Sequence, residues 1–439
     1  MLALSLDRHA DDPLGTQLAR QVRSRILDGT LADGLRLPSS RALARDLGVS
    51  RAVVEQAYAQ LVAEGWLAGR RGAGTFVAAS AHLPDRRRAP GPVSPPGRPL
   101  VRLDAGTPWI DPRQADLWRR AWREVGAARP PRGYDDPRGL PELRAALADR
   151  LARVRGLAVD ADDVRVATGS TDGLRHVLGA LGPGPVLLDD PGYRAAAETV
   201  RRTGRAVHDH PAGTPVGDLS GCAAAYVTPA HQHPLGHAMP GAERVALLGA
   251  ARAAGALVVE DDYDSEFRYD VAPIPALTSL DRDHAAYLGT ASKSVAPSLR
   301  LGWFVVPDAL APELDRIRAV THDTAAWPVQ RAFWALLRDG YVDRVVRAAR
   351  RVYAARAERV AAAFAPVADL RGTAGMYACV ELPADVTARA HAAARAAGFD
   401  VPLLADLCRT HLRHGLVVGF GGCTDAELDA ALAALASAW

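Results

Sequence analysis

Apolar positions along the chain follow three regimes. Near the start, Leu14, Leu18, Val22 and Ile26 recur at helical spacing and place one apolar stripe on a helix ending at Gly29. Asp12 stands where a cap belongs, with Pro13 at the first helical position. A second helix opens at Ser39 or Ser40, buries Leu43 and Leu47 and stops at Gly48. A third, capped by Ser50, turns Val54, Tyr58 and Leu61 inward before Gly65. Trp66 and Leu67, a turn over 68–72 and a short strand over 75–77 complete the unit. Two helices joined at Gly48-Val49 and closed by a small hairpin predict a winged helix-turn-helix over residues 12–79.

In the second regime, 80–100, periodic apolar positions give way to prolines and three consecutive arginines, the pattern of a semi-rigid linker. From 101 to 439, helical patterns alternate with short apolar runs at 186–188, 224–227, 257–259 and 303–306. That alternation predicts an α/β domain with a mostly parallel sheet covered on both faces. From about 345 a long arginine-rich helix opens a smaller C-terminal α+β subdomain.

Composition narrows the function classes. The 439 residues suit two or three domains, and 49% hydrophobic with 23% charged residues is typical of a globular protein with a sizeable core. No apolar run reaches 18 residues, so no membrane helix is expected. The N-terminus lacks a basic segment followed by an apolar block, and the four cysteines are scattered; a reducing cytoplasm is the expected compartment. A net charge of +3 does not by itself imply nucleic acid.

One count changes the picture. Of the 53 lysines and arginines, only Lys293 is lysine, and the chain has no asparagine. A GC-rich genome favours arginine wherever charge alone matters. Arginine stays protonated, whereas a lysine amine can deprotonate and attack a carbonyl, so Lys293 is a candidate for covalent chemistry. It lies in GTASKSVAPSLRLGW, a Ser-rich turn after an apolar run, with Arg300 seven residues on, where a guanidinium can clamp a phosphate. Upstream, 257–264 reads as a buried strand ending in acids, the edge where α/β sheets gather ligands. Adjacent Asp261 and Asp262 face opposite ways, so Asp261 is the expected partner of a ring nitrogen and Asp262 a solvated edge residue.

The segment LPSSRALARDLGVSRAVVEQAYAQLVAEGWLAGRRGAGTFV resembles the GntR family of bacterial regulators, with helix, turn, helix and wing markers in order. The resemblance implies double-stranded DNA as a partner. Arg41 and Arg51, at helix starts, would contact phosphates beside the cap residue Ser50, while Gln56 and Gln60 face outward to read bases. Gly72 and Gly74 let the wing approach the duplex, with Arg70 and Arg71 as anchors. Val53 stands where the family often has threonine.

The motifs DDPGYR, VTPAHQHPLG, VVEDDYDSEFRYD and YLGTASKSVAPSLRLGW, in this order, resemble the MocR/GabR subfamily, in which a winged helix is fused to a fold-type-I aminotransferase domain. The resemblance covers nearly the whole chain. It implies pyridoxal 5'-phosphate held as a Schiff base on Lys293, with Asp261 on the pyridine nitrogen and Tyr263 on the phenolic oxygen. Arg300, Ser292, Ser170 and Thr171 would hold the phosphate, Tyr193 would stack on the ring, and His231 and Gln232 would lie beside it. Tyr134 would reach the phosphate of a neighbouring subunit, which implies a homodimer. His208, His210, His231, His233 and His237 lack the cysteine and carboxylate spacing of zinc sites, so no metal is expected.

The sequence also departs from that pattern. Where relatives place an asparagine near the ring oxygen, Gln232 or His231 must substitute. The two arginine positions of an amino-acid carboxylate clamp hold Ala195 and Val417, with Val418 beside the latter and Arg194 and Arg413 as the nearest alternatives. The expectation is a dimeric regulator whose DNA affinity responds to pyridoxal phosphate itself or to an amino-acid effector. A turning-over aminotransferase, or a large domain serving only to dimerise, are the other readings.

Overall fold

The computed structural model describes residues 4–70, 74–78, 100–269, 274–370 and 374–439. The expected linker falls almost wholly outside them, as do Arg71 and Gly72 of the wing. The chain divides into two compact units, Met1–Pro95 and Pro96–Trp439.

The smaller unit holds α1 (Leu14–Leu27), α2 (Ser40–Leu47), α3 (Arg51–Ala63) and the hairpin strands β1 (Leu67–Arg70) and β2 (Gly74–Val77). Leu18, Val22 and Ile26 meet Leu43, Val54, Tyr58 and Leu61 in one buried cluster. The capping differs from expectation at two helix starts. Asp12 pairs with Arg20 rather than capping α1, and Ser50 occupies the cap position of α3 without a capping hydrogen bond. Ser39 does cap α2, its Oγ accepting from Ala42 N at 3.2 Å. Gly48 closes α2 at φ 64°, the left-handed conformation the tight helix-turn-helix corner requires.

The larger unit opens with β3 (Val101–Arg102), α4 (Ala115–Ala127), α5 (Pro141–Arg155), β4 (Arg165–Ala167), α6 (Ser170–Ala180), β5 (Val186–Asp190) and α7 (Arg194–Arg202). Next come β6 (Val207–Pro211), β7 (Ala224–Val227), α8 (Gly241–Ala254), β8 (Leu257–Asp262), β9 (Ala285–Thr290) and β10 (Gly302–Val305). Its last part holds α9 (Ala311–Thr321), α10 (Trp327–Arg338), α11 (Tyr341–Phe364), β11 (Tyr377–Glu381), α12 (Ala384–Ala396), β12 (Phe399–Asp400), β13 (Gly415–Gly419) and α13 (Asp425–Ala436).

Among the described residues the central sheet has the order β4-β10-β9-β8-β7-β5-β6. Its neighbours run parallel except β10, which is antiparallel to both β4 and β9. Alternation along each strand builds two cores. Leu188, Tyr226, Val259 and Leu288 pack with residues of α6 and α7, while Leu187, Ala225 and Val258 pack with Leu247 and Leu248 of α8. The long helix expected near 345 is α11. The small C-terminal sheets contain a surprise: β3, at the start of the unit, pairs in parallel with β12. Such long-range pairing leaves no trace in local periodicity. The carboxyl ends of β5, β7, β8 and β9 thus converge on one crevice, where open α/β sheets place their ligands.

Candidate functional site

That crevice is a cavity of about 660 Å³. Three loops and a helix start bring its chemistry together. The turn after β9 carries Ser292 and Lys293, α6 begins with Ser170 and Thr171, the end of β8 contributes Asp261 and Tyr263, and Tyr193 precedes α7; all line the cavity, as does Arg300.

Lys293 Nζ donates to Gly106 O at 2.7 Å. Burial pulls its amine below the usual lysine range, against the opposing charges of Asp264, Asp104 and Asp261. Asp261 accepts from Tyr226 OH through Oδ2 at 2.7 Å, while its buried Oδ1 has no partner among the described residues. Burial pushes this carboxyl up to about 6, partly countered by the hydroxyls of Tyr226 and Ser170. Arg300 takes a left-handed backbone, φ 51°, and its guanidinium lies over Gly169. A Cβ at Gly169 would stand 3.1 Å from Arg300 Nη2, and its own φ of 127° suits only glycine. Free amides at the start of α6 and an arginine held against that turn make a cradle for an anion.

Other expected residues sit differently. Tyr263 lines the cavity, but its hydroxyl donates to His231 O at 2.9 Å and contacts Tyr377 OH at 2.8 Å. His231 Nδ1 faces Asp264 Oδ2 at 2.6 Å, and Gln232 Nε2 donates to Asp189 at 3.0 Å; neither side chain lines the cavity. His233 does, although in the sequence it stands only as a metal-ligand candidate. Its half-buried ring stands edge-on to Tyr193, Tyr263 and Tyr377, with centroids 5.7, 6.0 and 5.8 Å away, and its nitrogens have no partner among the described residues. Burial and the nearby Lys293 charge bring the imidazole down to about 3, so it is neutral at physiological pH. The signal was present: in HQHP, His233 is two residues from His231, and the intervening Gln232 turns to the other side.

Asp262 is not a solvated edge residue. It is buried, paired with Arg155 at 2.7 Å and accepting from Tyr287 OH at 2.6 Å. Ala195 and Val417 both line the cavity and leave that wall without the clamp arginines, while Arg413 is committed to Glu381. Arg194 lines the cavity too. Tyr134 lies outside it, 82% exposed and stacked on the His322 ring at 3.7 Å.

On the smaller unit, Arg41 and Arg51 are exposed at the starts of α2 and α3, and Arg51 pairs with Glu55 at 2.7 Å. Gln60 donates to Glu64 at 2.9 Å. Gln56 is exposed but leans on α1, its Oε1 3.4 Å from where a Cβ on Gly15 would lie. Gly74 adopts φ 113° at the start of β2. Arg70 ends β1.

Comparison with known proteins gives two family matches: bacterial regulatory proteins of the gntR family over residues 14–77, and aminotransferase class I and II over 98–435. The HTH-type pyridoxine biosynthesis transcriptional regulator PdxR of Corynebacterium glutamicum is 34% identical, covering 80% of this chain and 79% of that protein. The probable rhizopine catabolism regulatory protein MocR of Rhizobium meliloti is 33% identical over 80% of this chain and 77% of its own. Among solved structures, Thermus thermophilus aspartate aminotransferase with maleate superposes with a TM-score of 0.67 at 23% identity, covering 78% of this chain and 92% of that one. At that identity the likeness concerns the fold.

Proposed function

Because the chain belongs to the MocR-type regulators, in which a gntR-family DNA-binding unit is fused to an aminotransferase class I and II domain, we propose that it is a cytoplasmic homodimer whose hold on operator DNA depends on pyridoxal 5'-phosphate at Lys293. The observation that carries this reading is the pairing of the chain's one lysine with an unpartnered carboxylate oxygen in the same cavity.

The residues fit the cofactor. Asp261 Oδ1 offers a buried acceptor for a protonated ring nitrogen, with Tyr226 holding the other oxygen. Arg300, Ser292 and the start of α6 offer donors for a phosphate, and Tyr193 offers a ring face. His233 supplies a neutral imidazole at the wall. When bound, pyridoxal phosphate supplies an aldehyde that an amine captures and a ring that accepts electron density when its nitrogen is protonated. The chain's own contribution is to lower the proton affinity of Lys293 by burial, so that more of the amine is nucleophilic, and to hold it on Gly106 O. Tyr134, exposed, outside its own cavity and stacked on the His322 ring, would serve the site of a partner subunit.

Ala195 and Val417 favour the cofactor itself as the signal, because at these two positions an added amino acid's carboxylate finds no cation, although Arg102 and Arg194 also line the cavity. The pyridoxine biosynthesis in the name of the Corynebacterium relative points the same way. An amino-acid effector is the alternative signal, and Arg194 at the cavity wall is what favours it. Sustained transamination, near 1 s⁻¹ or above in a multiple-turnover assay with a panel of amino donors and keto acids, would instead make the protein an enzyme.

The test is borohydride reduction of protein incubated with pyridoxal phosphate, followed by peptide mass spectrometry. A pyridoxyl group on Lys293 and no such adduct in Lys293→Ala is the expected result. An unmodified Lys293 peptide would remove the cofactor from this account.

A further inference from the structure

Strand β8 ends in three consecutive carboxylates, all buried: Glu260, Asp261 and Asp262 expose 0%, 4% and 8%. Alternation sends Asp261 to the cavity and the other two to the rear of the sheet. There they meet Arg155, the last residue of α5, itself 1% exposed. Its Nη2 donates to Glu260 Oε1 at 2.9 Å, its Nε lies 2.7 Å from Asp262 Oδ2, and Nη1 is bound by Ile274 O. Tyr287 of β9 donates to Asp262 at 2.6 Å, and Leu277 N donates to Glu260 at 2.6 Å. Arg244 of α8, the other cation near Glu260, spends its guanidinium on the carbonyls of Met239, Pro275 and Pro229. On the cavity side Asp261 is faced by Tyr226 of β7, Ser170 of α6, Tyr193 and Lys293.

One buried guanidinium therefore holds two buried acids, directly behind the carboxylate that points at the ligand. Resting on the cofactor reading above, we propose that Arg155 is a positioning residue for the cofactor ring, holding the two rear carboxylates so that Asp261 keeps its negative charge and its aim at the ring nitrogen. Two physical effects carry this. A hydrogen bond to Glu260 and an ion pair to Asp262, whose own hydrogen bond comes from Tyr287, steady the rear face of β8 and hence the direction of Asp261. Compensating their charge removes the repulsion that would otherwise drive a proton onto Asp261. The strand already lies close to that limit: burial pushes Glu260 up to about 7 even with Arg155 beside it.

The probe is 4'-deoxypyridoxine 5'-phosphate, which presents the ring and phosphate but no aldehyde, so that its affinity is independent of Lys293 chemistry. Its binding to full-length apo-protein is measured by calorimetry across pH, with folding checked by circular dichroism. Arg155→Gln is expected to weaken binding most on the acid limb, below about pH 6, where each unit of proton affinity gained at Asp261 is a factor of ten. Arg155→Lys recovers most of the loss, and so does Arg155→Gln/Asp262→Asn, which removes cation and acid together. A purely structural role predicts no such recovery in the double variant. Asp262→Asn, which keeps the cation and removes the rear acid that pushes Asp261 up, moves the acid limb of the affinity curve to lower pH; this variant decides the matter if Arg155→Gln does not fold. Wild-type affinity on the acid limb in folded Arg155→Gln, or an unmoved limb in Asp262→Asn, overturns the proposal. A wild type that ignores the probe overturns the cofactor reading as well, a result distinct from either of these.

Discussion

Lys293, Asp261 and Arg300 were legible as single residues because each breaks a local habit of the chain: the one lysine among arginines, an acid ending an apolar strand, an arginine at a fixed distance from the lysine. Arg155 was not, because a basic residue ending a helix reads as an ordinary partner of the helix dipole, and only the fold carries it behind β8. Burial has further consequences at this scale. His176 of α6 is buried, stacks on Phe304 at 5.9 Å, and is pulled down to about 4 by burial and by the charge of Arg318. Above pH 6.5 the folded and unfolded chains both keep this ring neutral. Between 6.5 and 4 the unfolded chain binds a proton that the folded chain refuses, so stability falls as pH drops through that window. The loss from this one group is at most roughly 3 kcal/mol. His176→Gln should therefore flatten the acid side of a urea-denaturation profile taken from pH 7.5 to 4. Identical slopes for the two proteins would contradict the assignment.

At the scale of elements, periodicity located the three helices and hairpin of the smaller unit and the strand-helix alternation of the larger one. Hydrogen-bond partners were less legible, since a cap residue and a working cap look alike in sequence. Ser39 and Ser50 both precede helices, yet only Ser39 accepts a hydrogen bond from its helix. Ser39→Ala should cost α2 about 1 kcal/mol, read as faster hydrogen exchange of its amides in the full-length protein. Ser50→Ala should leave the α3 amides within about 0.5 kcal/mol of wild type. Equal effects at the two positions would mean that the cap geometry described here is not the one in solution. The same limit explains the histidine in HQHP: local pattern places the motif at the cavity, but which of its side chains enters depends on turns that sequence does not encode in a fixed period. The return of β3 to pair with β12 was equally invisible, being a contact between segments almost 300 residues apart.

At the scale of the whole molecule, two units with separate cores are carried on one chain: a winged helix of the gntR family, and an aminotransferase-like unit whose cavity gathers Lys293, Asp261 and Arg300. Regulation requires the two to be coupled, and coupling has a size. An energy of 1–3 kcal/mol between sites changes affinity about 5- to 150-fold, enough to switch a promoter. On the proposed reading, cofactor occupancy is the variable to which DNA binding answers, and Ala195 and Val417, which carry no cation, are what favours it over an added amino acid. The decisive measurement is the affinity of full-length protein for operator DNA at fixed salt, apo and after loading with pyridoxal phosphate, for wild type and Lys293→Ala. A 5-fold or larger change on loading, lost in Lys293→Ala, is the predicted result. Overlapping wild-type curves with and without the cofactor, moving only when an amino acid is added or not at all, would contradict it.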